Sequence, residues 1–157
     1  MKVRKLKIIL LSILAVIIVY IAMPGHANAQ DSKMPDEILH YVNKHRATLG
    51  LPKLEMNDVI SEVAYKHSRD MASGRLPLGH DGFDGRVKTI SKRLGNANAF
   101  AENVAYGAMG AEEVVKMWLN SKGHRQNIEG HYNLTGIAID KAKNGDLYFT
   151  QIFILKN

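Results

Sequence analysis

The chain contains no cysteine. Disulfide staples and thiolate chemistry are therefore excluded, and any folded domain must be held by its core alone. Proline occurs only 4 times and aromatic residues make up 7% of the chain, while no acidic residue precedes Asp31. No H-E-x-x-H zinc helix and no G-x-S-x-G elbow occurs, which removes the two most compact hydrolase signatures. A basic stripe with interleaved aromatics is missing too, so a nucleic-acid partner is not expected. The cluster Arg86, Lys88, Lys92, Arg93 reads as a solvated helix face.

Long apolar runs are also scarce. There is one, from Ile8 to Met23, preceded by Lys2, Arg4, Lys5 and Lys7 and followed by Pro24-Gly25-His26 and Ala27-Asn28-Ala29. Basic residues, an apolar run, a breaker and an A-x-A pattern are the order of a secretory signal peptide, here covering residues 1–29 with cleavage near Ala29. The alternative is an uncleaved membrane anchor at residues 8–23, but that run falls short of the roughly 20 residues of a comfortable span. No Cys follows it, so a lipobox is excluded. Four of the 21 Lys+Arg lie in this segment and none of the 15 Asp+Glu, so the high pI reports mostly the export signal and the remainder is nearly balanced.

Residues 30–34 read as a short disordered lead, and 35–157 as one domain, long enough to bury a stable core. Pro35 suits a first helical turn, with Asp36 and Glu37 complementing the positive helix end. Ile38, Tyr41, Val42 and Leu49 keep helical spacing, and Gly50 closes the helix. Asn57 is a natural N-cap for a second helix burying Val59, Ile60, Val63, Ala64, His67 and Met71 and ending at Gly74. Residues 76–85, rich in Gly and Pro, read as loop, and a third helix is expected from about Gly85 to Leu94. Ala101 to Gly110 is a small-residue segment without an assigned element, and Ala111 to Asn120 forms a fourth helix with Trp118 as a core anchor. Gly123 to Asn133 reads as polar loop. Strands are expected at Leu134–Asp140 and Leu147–Leu155, joined through the Asn144-Gly145 turn. Helices first and a C-terminal antiparallel hairpin last define an α+β order rather than alternating βαβ units.

Six histidines remain after the export segment. His40, His45 and His67 fall within helices and lack an i+4 partner of ligand type. His80 lies between Gly79 and Asp81-Gly82, and His124 follows Gly123 just past a helix end. Both sit in loops, where function concentrates. They either face a ligand or hydrogen-bond the turn backbone. Glu102 stands among small and apolar neighbours, where a carboxylate is either paired or exposed. Two imidazoles and a carboxylate have the chemistry of an open zinc site, although their separation in sequence does not by itself bring them together.

The segments His80-Asp81-Gly82-Phe83, Arg93-Leu94-Gly95, Ala101-Glu102-Asn103-Val104-Ala105 and Ala111 through Ile128 occur in that order. Gly136-Ile137-Ala138 and Tyr148 through Phe153 follow. This succession resembles the bacterial secreted branch of the CAP superfamily, which also holds cysteine-rich secretory proteins, venom antigens and plant pathogenesis-related proteins. The resemblance implies an α-β-α sandwich with a cleft carrying two histidines and two glutamates, in several members with zinc or another divalent metal. By motif, His80 and His124 are the histidines and possible metal ligands, and Glu102 is the first glutamate. Ser121 stands where the eukaryotic pattern has the second. Gly130-His131-Tyr132 mimics the eukaryotic Gly-His-Tyr, but Gly123-His124-Arg125 fits the bacterial pattern better. The expected role is a non-catalytic extracellular or cell-envelope binding module for a peptide, lipid or envelope ligand. The alternative is a zinc-assisted, peptidase-like hydrolase with Glu102 as general base. A structural envelope protein is the third reading.

Overall fold

The computed structural model describes residues 33–95 and 97–157. The export segment and residues 30–32 of the expected lead lie outside the described residues, and Met34, assigned to that lead, is instead the first residue of α1. The elements run α1 (Met34–Thr48), β1 (Glu55–Met56), α2 (Asp58–Ala72), α3 (Phe83–Leu94), β2 (Ala99–Gly107), α4 (Ala111–Asn120), α5 (Lys122–Ile128), β3 (Leu134–Lys141) and β4 (Leu147–Leu155). The four strands form one mixed sheet in the order β1-β3-β4-β2. β1 lies parallel to β3, while β3 and β2 both run antiparallel to β4.

β4 explains the layering. Its residues alternate between two cores, as the period of two in a strand requires. Phe149 and Phe153 pack with Ile38 and Val42 of α1 and Val114 and Trp118 of α4. Ile152 and Ile154 pack with Ile60 and Ala64 of α2 and Ile90 of α3. Helices thus cover both faces, giving the α-β-α sandwich that the motifs imply. Gly136 on β3 shows how close one layer comes: a Cβ there would lie 2.3 Å from the backbone of Ile60 and Ser61.

Several boundaries match the pattern that suggested them. α4 and β4 span the expected residues, and the Asn57 side chain caps α2 by accepting from the Val59 and Ile60 amides. Glu113 at the third helical position of α4 accepts from the Gly110 amide, using negative charge where it is favoured.

Other boundaries differ. The segment after Ala99 is the edge strand β2, because every side chain from Ala101 to Ala105 is buried and no alternation marks it. Residues 122–128 are helix, not loop. α3 starts at Phe83, two residues before its expected beginning. Leu49 is exposed, and Arg46, not Leu49, completes the buried face of α1.

Candidate functional site

Glu102 is the centre of the site. It stands on β2, 5% exposed, facing the α2–α3 layer with its strand partner Ile152. A buried carboxylate must be paired, and three side chains meet it. Arg86 of α3 donates from Nε to Oε2 at 2.7 Å and from Nη2 to Oε1 at 2.6 Å. His80 Nδ1 lies 2.9 Å from Oε1. His67 Nε2 lies 3.8 Å from the same oxygen and donates instead to the Gly79 carbonyl at 2.9 Å.

The loop bearing His80 is shaped by its glycine. The Phe83 amide donates to the His80 carbonyl, closing a turn. Gly82, third in that turn, has φ 78° and ψ 14°, the conformation that a type II turn demands and that glycine adopts without strain. The turn aims the His80 and Asp81 carbonyls at Arg86, which donates to them at 3.3 and 2.8 Å. The His80 side chain remains 52% exposed.

His124 lies on α5, which is pinned to β2 by two asparagines. Asn127 Nδ2 donates to the Glu102 carbonyl (3.2 Å) and to Asn103 Oδ1 (2.9 Å). Asn103 Nδ2 donates to the His124 carbonyl at 3.1 Å. His124 Nδ1 is buried without a hydrogen-bond partner. Desolvation lowers the His124 pKa, and the nearby His80 lowers it further. His67 is also pushed down, chiefly by burial, with Arg86 and His80 adding to the shift and the Gly79 bond and Glu102 opposing it. His80 thus contacts Glu102 directly, while His124 is tied to the same strand only through its backbone carbonyl and Asn103.

His131 is exposed on the turn after α5, and the groups that shift His124 do not include it. Ser121 sits at the α4–α5 junction, where its carbonyl accepts from the Arg125 amide. Among the described residues no side-chain hydrogen bond links it to His80, Glu102 or His124. Ser68 is buried and bonds the Ala138 carbonyl and Thr150 Oγ1, which makes it part of the packing between α2 and the sheet. Arg86, Asn103 and Asn127 escaped the sequence reading as site residues. Each lies inside or close to a quoted motif, but a lone Arg or Asn carries no chemistry until its partner is known.

The donor set for a divalent metal follows from these contacts. His80 spends Nδ1 on Glu102, and its Nε2 has no hydrogen-bond partner among the described residues. Neither ring nitrogen of His124 has a hydrogen-bond partner among the described residues. Two imidazoles have the chemistry of metal ligands, and Glu102 stands behind His80 as its carboxylate partner rather than as a ligand. This is one protein ligand fewer than a typical catalytic zinc site. Among the described residues no group of three or more His, Cys, Asp or Glu is arranged to hold a metal. A separate groove of about 660 Å³ between α2 and α3 touches His67 and Arg86 but not His80, Glu102 or His124.

A sheet sandwiched between helices carries a His–Glu–Arg cluster on its edge strand, with a second histidine on the helix pinned to that strand. The Cysteine-rich secretory protein family (CAP) matches residues 39–153, and the chain belongs to that family. It is 31% identical over 140 residues to the uncharacterized protein YkwD of Bacillus subtilis, covering 85% of this chain and 50% of YkwD. The chain thus spans half the length of that relative. Its fold is similar to that of an outer surface protein of Borrelia burgdorferi, with TM-score 0.70 and 23% identity over 82% of this chain and 95% of the other. It is also similar to an extracellular SCP-domain protein of Bacillus anthracis, with TM-score 0.63 and 26% identity over 86% of this chain and 45% of that one.

Proposed function

We propose that the chain is an exported, non-catalytic binding module whose cleft around His80, Glu102 and His124 takes a peptide, lipid or cell-envelope ligand, with or without a divalent metal. The observation that carries this reading is the commitment of Glu102. A general base needs a free lone pair facing the substrate. Both Glu102 oxygens are held by Arg86, one also lies against His80, and the residue is buried. That argues against the hydrolase alternative. Neither Ser68, which is used in packing, nor Ser121, which bonds no histidine among the described residues, replaces it.

What remains available is a pair of imidazoles on a rigid scaffold, which suits recognition. Where a divalent metal takes part, His80 and His124 would hold it and it would supply a Lewis-acid contact to the ligand. Export is supported by the N-terminal segment and by the printed description of the Bacillus anthracis neighbour as extracellular. Among the described residues no helix is long and apolar enough to cross a membrane.

The test is binding of labelled protein to bacterial envelope fractions, with the His80→Ala/His124→Ala double variant alongside. Binding by the parent and its loss in the variant are expected; equal binding by both removes the cleft from the account. Incubation with a peptide library, with and without chelator, should give no chelator-sensitive cleavage. Such cleavage would restore the hydrolase. N-terminal sequencing of the exported protein should begin at Gln30, whereas retention in the membrane with an intact N-terminus would identify residues 8–23 as an anchor.

A further inference from the structure

Arg86 departs from the solvated face expected for its helix. Its guanidinium turns inward, with a side chain only 11% exposed, and meets four acceptors: Glu102 Oε1 and Oε2 and the carbonyls of His80 and Asp81. The Phe83 ring lies beside it, 5.9 Å from the guanidinium carbon to the ring centre. These acceptors belong to two different parts of the chain, a strand and a loop, and they converge on one planar fork.

We propose that Arg86 is the positioning residue of the cleft: by holding Glu102 and the His80 loop together it commits His80 to the Nδ1–H tautomer, so that the cleft offers an outward imidazole acceptor to ligand groups bearing a hydrogen-bond donor.

The reasoning runs through the carboxylate. An ionised carboxylate only accepts hydrogen bonds. Because Arg86 keeps Glu102 paired, Oε1 can only accept, and His80 Nδ1 must be the donor at 2.9 Å. The neutral ring then carries its lone pair on Nε2, which has no hydrogen-bond partner among the described residues, on a side chain that is 52% open to solvent. The backbone is fixed by the same guanidinium, and from the other side by His67, which donates to the Gly79 carbonyl. A lysine could supply the charge but not the fork that reaches both the carboxylate and the turn. Hydroxyl and amide N–H groups suit such an acceptor, and an anionic group does not.

The ligand preference rests on the cleft reading proposed above, but the tautomer does not, and the two are tested separately. The ratio of Nδ1–H to Nε2–H forms at His80 is read from the ring nitrogen shifts of the ¹⁵N-labelled protein, at a pH above the histidine range and with no ligand present. The parent should show mainly the Nδ1–H form. In Arg86→Gln the ratio should fall by about tenfold, the scale of losing a hydrogen bond to a charged acceptor. Arg86→Lys should fall by less, and the His124 signals should stay unchanged in both. A folded Arg86→Gln protein with the parent ratio overturns the proposal. Should that variant not fold, a parent-like ratio in Arg86→Lys does the same. Failure of envelope binding in the parent would instead remove the cleft reading and leave the tautomer result standing.

Discussion

His67 and His124 both have pKa values below that of an ordinary histidine, and in both the first cause is loss of water around the ring. The unfolded chain, with histidines near about 6.5, therefore takes up protons that the folded chain resists. By linkage the stability from these groups is complete above that value and is lost as pH falls through it toward the lower folded values. The melting temperature should drop between about pH 7.5 and 5.5, the window opened by the histidine value, and the drop should be shallower in His67→Gln, whose amide does not titrate. A parent melting temperature that stays flat across that window contradicts the account. Asp70 acts in a different window. Lys66 holds its carboxyl below the usual range, with Arg75 assisting, so its share of stability persists until pH falls below about 3.9. Zinc affinity should be weak, because only two imidazoles are on offer, and should decline with acid as protons compete with the metal for them. Calorimetric titration checks this, and zinc binding that survives both His80→Ala and His124→Ala would show the ligand assignment to be wrong. His80 was visible in the sequence because the glycines beside it marked a loop; His124 was singled out on the same signal although it lies on α5. The guanidinium that holds Glu102 and the His80 loop was not visible, because nothing in the order of residues links Arg86 to Glu102.

At the level of elements, two close approaches decide how the layers register. Arg46 of α1 is 1% exposed and has no carboxylate partner among the described residues. It donates instead to the carbonyls of Pro52, Ile128, Gly130 and Tyr132. The last three follow or close α5, so a side chain of the first helix secures the end of the helix that bears His124. Arg46→Leu strands those carbonyls in a buried site and should destabilise by roughly 3–5 kcal/mol in urea unfolding, the cost of removing one side of a buried polar cluster. A loss under about 1 kcal/mol, the typical value of one hydrogen bond, would mean water replaces the guanidinium easily. Gly136→Ala should cost about 1–3 kcal/mol or more, because the new Cβ meets helix backbone that must move as a unit. β1, β2 and α5 were the elements that pattern alone missed, β1 because it has only 2 residues. β2 is covered on both faces and carries Glu and Asn, so it shows neither alternation nor strand composition. α5 has only 7 residues, too few for a helical period to declare itself against a polar background.

Across the whole molecule, two apolar clusters share one sheet. Phe149 and Phe153 serve one face and Ile152 and Ile154 the other, from adjacent positions on β4. Neither cluster can be lost without unpairing the strand that feeds the other, so unfolding should be a single transition. Trp118, buried on the α1–α4 side, reports that face. Ile60→Ala on the opposite face should lower the Trp118 fluorescence midpoint together with the far-ultraviolet dichroism midpoint, by about 2–5 kcal/mol in stability. Separated transitions would show that the two layers melt independently. Local pattern by itself determined the long helices, the terminal hairpin and the lack of any covalent staple, since helical and strand periods, caps and turns act over a few neighbouring residues. Motif order added the family and with it the sandwich. Only the tertiary structure decided that Glu102 is paired with Arg86, that Arg46 anchors α5, and that His80 Nδ1 is spent on Glu102. Those outcomes depend on which distant side chains come within hydrogen-bond range, and burial makes that pairing obligatory without naming the partner in advance.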